Sequence, residues 1–269
     1  MSDFLEIHRG TAPLILSFPH TGTDFPPALT DAFVSPWLAR KDADWWIDRL
    51  YAFAHELGAT TVRTRLSRSV IDCNRDPSGA SLYPGQATTG LCPRETFDGE
   101  ALYAENEFDQ GEVERRRAAY FDPYHAALSA EIERLRSNHP RIVLYDAHSI
   151  RSTIPRLFEG ELPQFNVGTN NGATCAHDLE AGVTGIVASS GRSHVLNGRF
   201  RGGWTTRHYG RPADGIHAIQ MELAMRGYME EPTHPGPANW PTQMANEPAI
   251  LPILQQVLTA CLNFAKGKG

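Results

Sequence analysis

Lysine is nearly missing from this chain: three residues against 22 arginines, in 269 residues of formal net charge −6. An acidic balance excludes the broad basic face that nucleic-acid binding requires, so no nucleic-acid partner is expected. Cysteine is scarce as well. Cys73, Cys92, Cys175 and Cys261 show no CxxC spacing, which excludes a disulfide framework and a thiolate zinc site and suits a reducing, cytoplasmic compartment. No apolar run approaches the roughly 18–20 residues of a membrane helix. The acidic N-terminus, MSDFLEIHRG, lacks the apolar stretch of a signal peptide. Internal repeats, low-complexity tracts and dividing linkers are also lacking, so one domain over residues 1–269 is expected, with no membrane partner.

What is present is an alternation of apolar runs and longer amphipathic patterns. PLILSF (13–18), SVIDC (69–73), RIVLYDA (141–147), FNVGT (165–169), HVLN (194–197) and IHAIQMEL (216–223) read as strands. Helical spacing marks 44–58, ending at Gly58, a long stretch from about 109 to 136 with a break near Pro123, 177–191, and 248–264. Strands alternating with helices predict an α/β layer fold with a mostly parallel sheet, whose ligands bind beyond the carboxyl ends of the strands.

Two histidines fall at such ends. His20 closes LILSFPHTG and His148 closes RIVLYDAHS. Neutral imidazole is the commonest metal ligand, and a catalytic zinc takes three protein ligands and a water. KDADWWIDRLY offers Asp42, Asp44 and Asp48 as the carboxylate that would complete the set, although acids at a helix start are also favoured by the dipole alone. Asp146, two residues before His148, is placed either to ligate or to orient an imidazole.

The arginines cluster in two segments. SRSVIDCNRDPSG places Arg68, Asn74 and Arg75 around a turn, where an Asn-Arg pair can hold a carboxylate; Asp72 could equally pair with Arg75. NGRFRGGWTTRHYG carries Arg199, Arg201 and Arg207 beside a Gly-Gly that lets backbone approach a ligand. Glu222 interrupts an otherwise apolar strand, which is costly unless the carboxylate is paired or functional. It would serve either as a general base or in a salt bridge to an arginine.

Taken together, SFPHTGTDFP, DADWWIDRLYAF, SRSVIDCNRDPSG, TTGLCP, YDAHSIRS, LNGRFRGGWTTRHYG and GIHAIQMELA resemble the N-formylglutamate amidohydrolase (deformylase) family of histidine degradation, from about residue 5 to 262. The resemblance implies a three-layer α/β sandwich with a mixed, mostly parallel sheet, similar to zinc-dependent exopeptidases. It implies a metal-dependent amidohydrolase that releases formate and L-glutamate from a small dianionic substrate, N-formyl-L-glutamate, with a divalent ion, Zn²⁺, as cofactor. Carried over by position, His20, Asp44 and His148 would hold the metal and Glu222 would be the base. Arg68, Asn74, Arg75, Arg201 and Arg207 would bind substrate. Trp46 stands where such relatives often carry histidine, and His20 and Asp44 lie 24 residues apart rather than within a few.

Overall fold

A computed structural model describes residues 3–82, 85–104 and 109–268. Its strands are β1 (Leu5–His8), β2 (Leu14–Phe18), β3 (Thr60–Thr64), β4 (Ile142–Ile150), β5 (Phe165–Gly168), β6 (His194–Leu196) and β7 (Ile216–Ala224). They form a seven-stranded sheet in the order β1-β3-β2-β4-β7-β5-β6. β3-β2, β2-β4, β4-β7 and β5-β6 are parallel, while β1-β3 and β7-β5 are antiparallel. β2, β4 and β7 are buried along their whole length, which is why they read as continuous apolar runs rather than as alternations.

The helices are α1 (Leu38–Lys41), α2 (Ile47–Leu50), α3 (Gln110–Arg116), α4 (Asp122–Arg136), α5 (His177–Ser189), α6 (Trp204–Tyr209) and α7 (Glu247–Ala265). One face of the sheet presents Leu16, Tyr145, Val167 and Met221 to α2, α5 and α7; the other presents Ile15, Val62, Leu144 and Ala218 to α4. Helices on both faces of a mixed sheet make the expected three layers.

Several expected elements take a different form. SVIDC is buried but forms turns, with the Val70 N–H donating to Ser67 O and the Asp72 N–H to Leu91 O. β1 and β3 are short and partly polar, so periodicity passes over them. The helix expected over 44–58 is reduced to α2 and a 3₁₀ turn, Ala52–His55. Its start is interrupted at Trp46, whose φ of 61° is left-handed. Gly58, at φ 72°, does end the segment. No break occurs at Pro123: a π-turn over Arg117–Phe121 joins α3 to α4, shifting the hydrogen-bond ladder just where proline offers no N–H. The 197–210 segment is a loop only in its first half, since α6 occupies the second. α7 is long and apolar enough by composition to cross a membrane, which amends the reading that no stretch reaches that length. In the fold its Ile250, Leu254, Val257, Leu258 and Cys261 pack into the core.

Candidate metal and hydrolytic site

The strands decide which side chains meet. On β4 and β7 the even-numbered residues face α4, so Asp146, His148, Gln220 and Glu222 share one face at the carboxyl end of the sheet. The register sets His148 opposite Glu222 and Asp146 opposite Gln220. His20 arrives from just past β2. Gly22 follows because the chain turns hard against its neighbour there: a Cβ would lie 2.3–2.4 Å from backbone atoms of Arg65 and Leu66. Asp44 is tied to His20 directly, its N–H donating to His20 O at 2.9 Å. Two residues on, Trp46 holds the left-handed conformation, which costs a bulky residue about 1–2 kcal/mol and points to a turn held in place by its surroundings.

His20, Asp44 and His148 converge, each offering one ligand atom within 4.8 Å of the others, and all three are buried. The imidazole centroids are 4.9 Å apart. His148 Nδ1 lies 3.0 Å and His20 Nδ1 3.7 Å from Asp44 Oδ2. The far nitrogens meet buried carboxylates: His20 Nε2 is 2.6 Å from Asp72 Oδ1, and His148 Nε2 is 3.0 Å from Asp146 Oδ2. Such carboxylate–imidazole pairs orient metal-binding histidines and fix their tautomer. His20 Nδ1 and Asp44 Oδ1 are buried without a hydrogen-bond partner among the described residues. Two buried polar atoms without hydrogen-bond partners, in a group whose ligand atoms lie this close together, are a donor set that a cation would satisfy. Asp42 and Asp48 stand apart. Asp42 accepts from the Phe97 N–H at 2.6 Å, and Asp48 lies 3.4 Å from Arg63 Nε.

The charges are coupled. Burial opposes ionisation of Asp44, but His20 and His148 outweigh it and hold the carboxyl well below its usual range. Asp72 is likewise held low, burial being outweighed by Arg68, Arg75 and His20. Burial would lower the His148 pKa, yet Asp146 and Asp44 raise it well above the ordinary value. Glu222 goes the other way. Burial pushes its carboxyl up to about 8, with Asp44 adding to the rise and His148 working against it. Its Oε2 accepts from Gln220 Nε2 at 3.1 Å, and among the described residues no arginine comes within ion-pair distance of it.

A cavity of about 50 Å³ opens on this centre, lined in part by His20, His148, Glu222, Arg68, Arg75 and Arg199. Arg68 is buried over the Phe97 ring, donates to Asp72 Oδ2 at 2.6 Å and lies 3.6 Å from Asp44 Oδ1. Arg75 donates to Thr89 O and Thr89 Oγ1. Asn74 also lines the cavity, but its amide is committed. Nδ2 sits 3.2 Å from Asp146 Oδ2 and 3.0 Å from His148 Nε2, and Oδ1 accepts from the Thr205 N–H. Gly203 leaves room for that contact, since a Cβ there would lie 2.3 Å from Asn74 Nδ2.

Two expected substrate arginines lie outside the cavity lining. Arg201 is exposed, with Nε toward Gly198 O, and Arg207 donates to Gly202 O and Leu82 O. The same segment contributes Arg199 instead. Sequence reasoning also passed over Gln220, which accepts from the Gly203 N–H at 2.6 Å while holding Glu222. Its signal was present: a second polar residue two places from Glu222 in the same apolar strand.

The model of the N-formylglutamate amidohydrolase family matches residues 12–229. An N-formylglutamate deformylase of Pseudomonas putida is 46% identical over 264 residues, covering 97% of this chain and 97% of the relative. One of Pseudomonas aeruginosa is 47% identical over 233 residues, covering 86% and 87%. Among solved structures, an N-formylglutamate amidohydrolase from Ralstonia eutropha JMP134 superimposes with a TM-score of 0.78 at 22% identity, covering 98% of both chains, a likeness of fold.

Proposed function

Because the chain belongs to the N-formylglutamate amidohydrolase family, we propose that it hydrolyses N-formyl-L-glutamate to formate and L-glutamate, the last step of a histidine degradation route. We place the enzyme in the cytoplasm, where its four free, buried cysteines are at home, and take residues 1–269 as its one domain. His20, Asp44 and His148 hold a divalent ion, Zn²⁺. The observation that supports this is the pair of imidazoles whose Nε2 atoms are pinned by Asp72 and Asp146 while the buried Nδ1 of His20 and Oδ1 of Asp44 have no hydrogen-bond partner among the described residues. A divalent cation bound there supplies polarisation of the formyl carbonyl and a lowered pKa for water.

The chain's own groups do the rest. Glu222, level with His148 and lifted toward neutral pH by burial, takes the proton of the attacking water and passes it to the departing amine. Gln220 fixes the carboxyl for that exchange. Arg68, locked by Asp72 and Phe97 beside Asp44, faces the negative charge that develops on the formyl oxygen; one lost donor in that role costs about 10²–10³ in rate. Arg75 takes one substrate carboxylate, with Asn74 behind it bracing His148 and Asp146.

Formate release from N-formyl-L-glutamate, measured with and without a chelator and after restoring Zn²⁺, tests the reading. Release that stops with chelator and returns with metal is expected. Release indifferent to chelation removes the metal, and no release from this substrate removes the activity.

A further inference from the structure

A short strap, residues 87–89, lies across the cavity of the reaction centre. Ala87, Thr88 and Thr89 line that cavity and also a neighbouring one of about 420 Å³, so the strap runs between the two. Two arginines hold it from different parts of the chain. Arg75 donates from Nε to Thr89 O at 3.0 Å and from Nη2 to Thr89 Oγ1 at 3.1 Å. Arg199 donates from Nη2 to Ala87 O at 2.9 Å and from Nε to Leu157 O at 3.0 Å. Both guanidinium groups line the cavity and both give hydrogen bonds to strap carbonyls, Arg75 lying in addition 3.7 Å from Asp72 Oδ2. A carboxylate is the stronger acceptor for guanidinium, so an anion entering the cavity competes with the strap for these donors. The present cavity, about 50 Å³, is also far below the roughly 300–1,000 Å³ of an ordinary small-molecule site. The larger space lies on the other side of the strap, lined by the same three residues.

We propose that Arg199 is the residue that selects the second carboxylate of the substrate, with Ala87 O holding its place until substrate arrives. This rests on the N-formylglutamate reading above. Arg75 and Arg199 then form a pair of anion readers on one strap, and a substrate with a neutral side chain leaves Arg199 on the strap, the cavity still divided. Rejection of such a substrate follows from a polar group left without its charged partner. The step is one of recognition, with no bond made or broken.

The experiment compares kcat/KM for N-formyl-L-glutamate and N-formyl-L-methionine in the metal-loaded wild type, Arg199→Met and Arg199→Lys, with metal content and thermal melting recorded for each. Arg199→Met is expected to raise KM for N-formyl-L-glutamate and to cut the preference for it over N-formyl-L-methionine by about 10–100-fold, the worth of a charge-assisted hydrogen-bonded contact. Arg199→Lys restores part of the preference, and decides the matter should the methionine variant fail to fold. An unchanged preference in a folded, metal-loaded Arg199 variant overturns the proposal, as does transfer of the loss to Arg201→Met or Arg207→Met. A wild type inactive on N-formyl-L-glutamate overturns the underlying function instead, a separate and recognisable outcome.

Discussion

Two charge clusters, one partly exposed and one buried, lie near the rim of the sheet, and they are built on opposite plans. In the first, Lys41 Nζ meets Asp98 and Glu100 at 2.5 and 2.6 Å, and Arg151 bridges Asp98 and Asp42 at 2.7 and 3.3 Å. Asp42 also accepts from the Phe97 N–H, which anchors the loop that carries the Phe97 ring under Arg68. Each carboxylate there has a cation for a neighbour. In the second, the cationic or protonatable partners of Asp44, Asp72 and Asp146 among the described residues are Arg68, Arg75 and two imidazoles, and Glu222 has an amide, Gln220, for its partner. Orphaned ligand atoms and a carboxyl raised to about 8 are what remain. Carboxylates matched by cations hold a fold together; a set left short of positive charge marks the place where something positive binds.

The contrast can be broken most forcefully at Glu222. Glu222→Gln should lower kcat by about 10²–10⁴ while metal content by elemental analysis stays at the wild-type level; unaltered turnover would take this carboxyl out of the chemistry. The same variant has a stability signature. The folded carboxyl titrates near 8 rather than at its ordinary 4.5, so the metal-free wild type loses stability as pH rises from about 4.5 to 8. Each unit of that shift is worth about 1.4 kcal/mol. Metal-free Glu222→Gln should therefore match the wild type near pH 4.5 and unfold a few kcal/mol later at pH 8 in denaturant titrations. Equal stability at both pH values would mean that Glu222 is already answered by another group.

Next in size is Asp72→Asn, which weakens the grip on His20 Nε2. Metal affinity should fall by about 10–100-fold, read as Kd by competition with a chromogenic chelator, and an unchanged Kd would leave Asp72 as a partner of Arg68 alone. The smallest effect belongs to the balanced cluster. Lys41→Met should cost about 1–2 kcal/mol of stability with metal Kd unmoved. A large change in metal affinity would show that the two clusters act as one.

Much of this centre is legible in the sequence because strand parity is legible. His148 and Asp146 on one strand, and Glu222 in another, are polar residues at same-face positions of otherwise apolar runs, and that spacing survives any detail of packing. His20 is legible for the same reason, as the residue just beyond a buried strand. What the sequence hides is set by irregular backbone. Asp72 meets a histidine 52 residues away from a buried turn that imitates a strand in its apolar content. Arg199, Arg201 and Arg207 share one short segment, and which of them reaches the cavity depends on a loop with Asn197 at φ 52° and Gly202 at φ 113°. No periodicity predicts where side chains point from such a chain. The outer strands β1 and β3 were hidden differently, being short and partly polar at a sheet edge.

The pairing of His148 with Glu222 across β4 and β7 has a consequence for how such a protein can change. The proposed ligand and proton carrier are spaced by the same backbone ladder that closes the core, with neighbouring strands about 4.8 Å apart, whereas the arginine proposed to sort substrates hangs from a loop. Loops can be exchanged or lengthened without disturbing that ladder. A lineage built on this frame is thus free to acquire new substrates by rewriting its loops, while the pairing of these two side chains passes down unchanged.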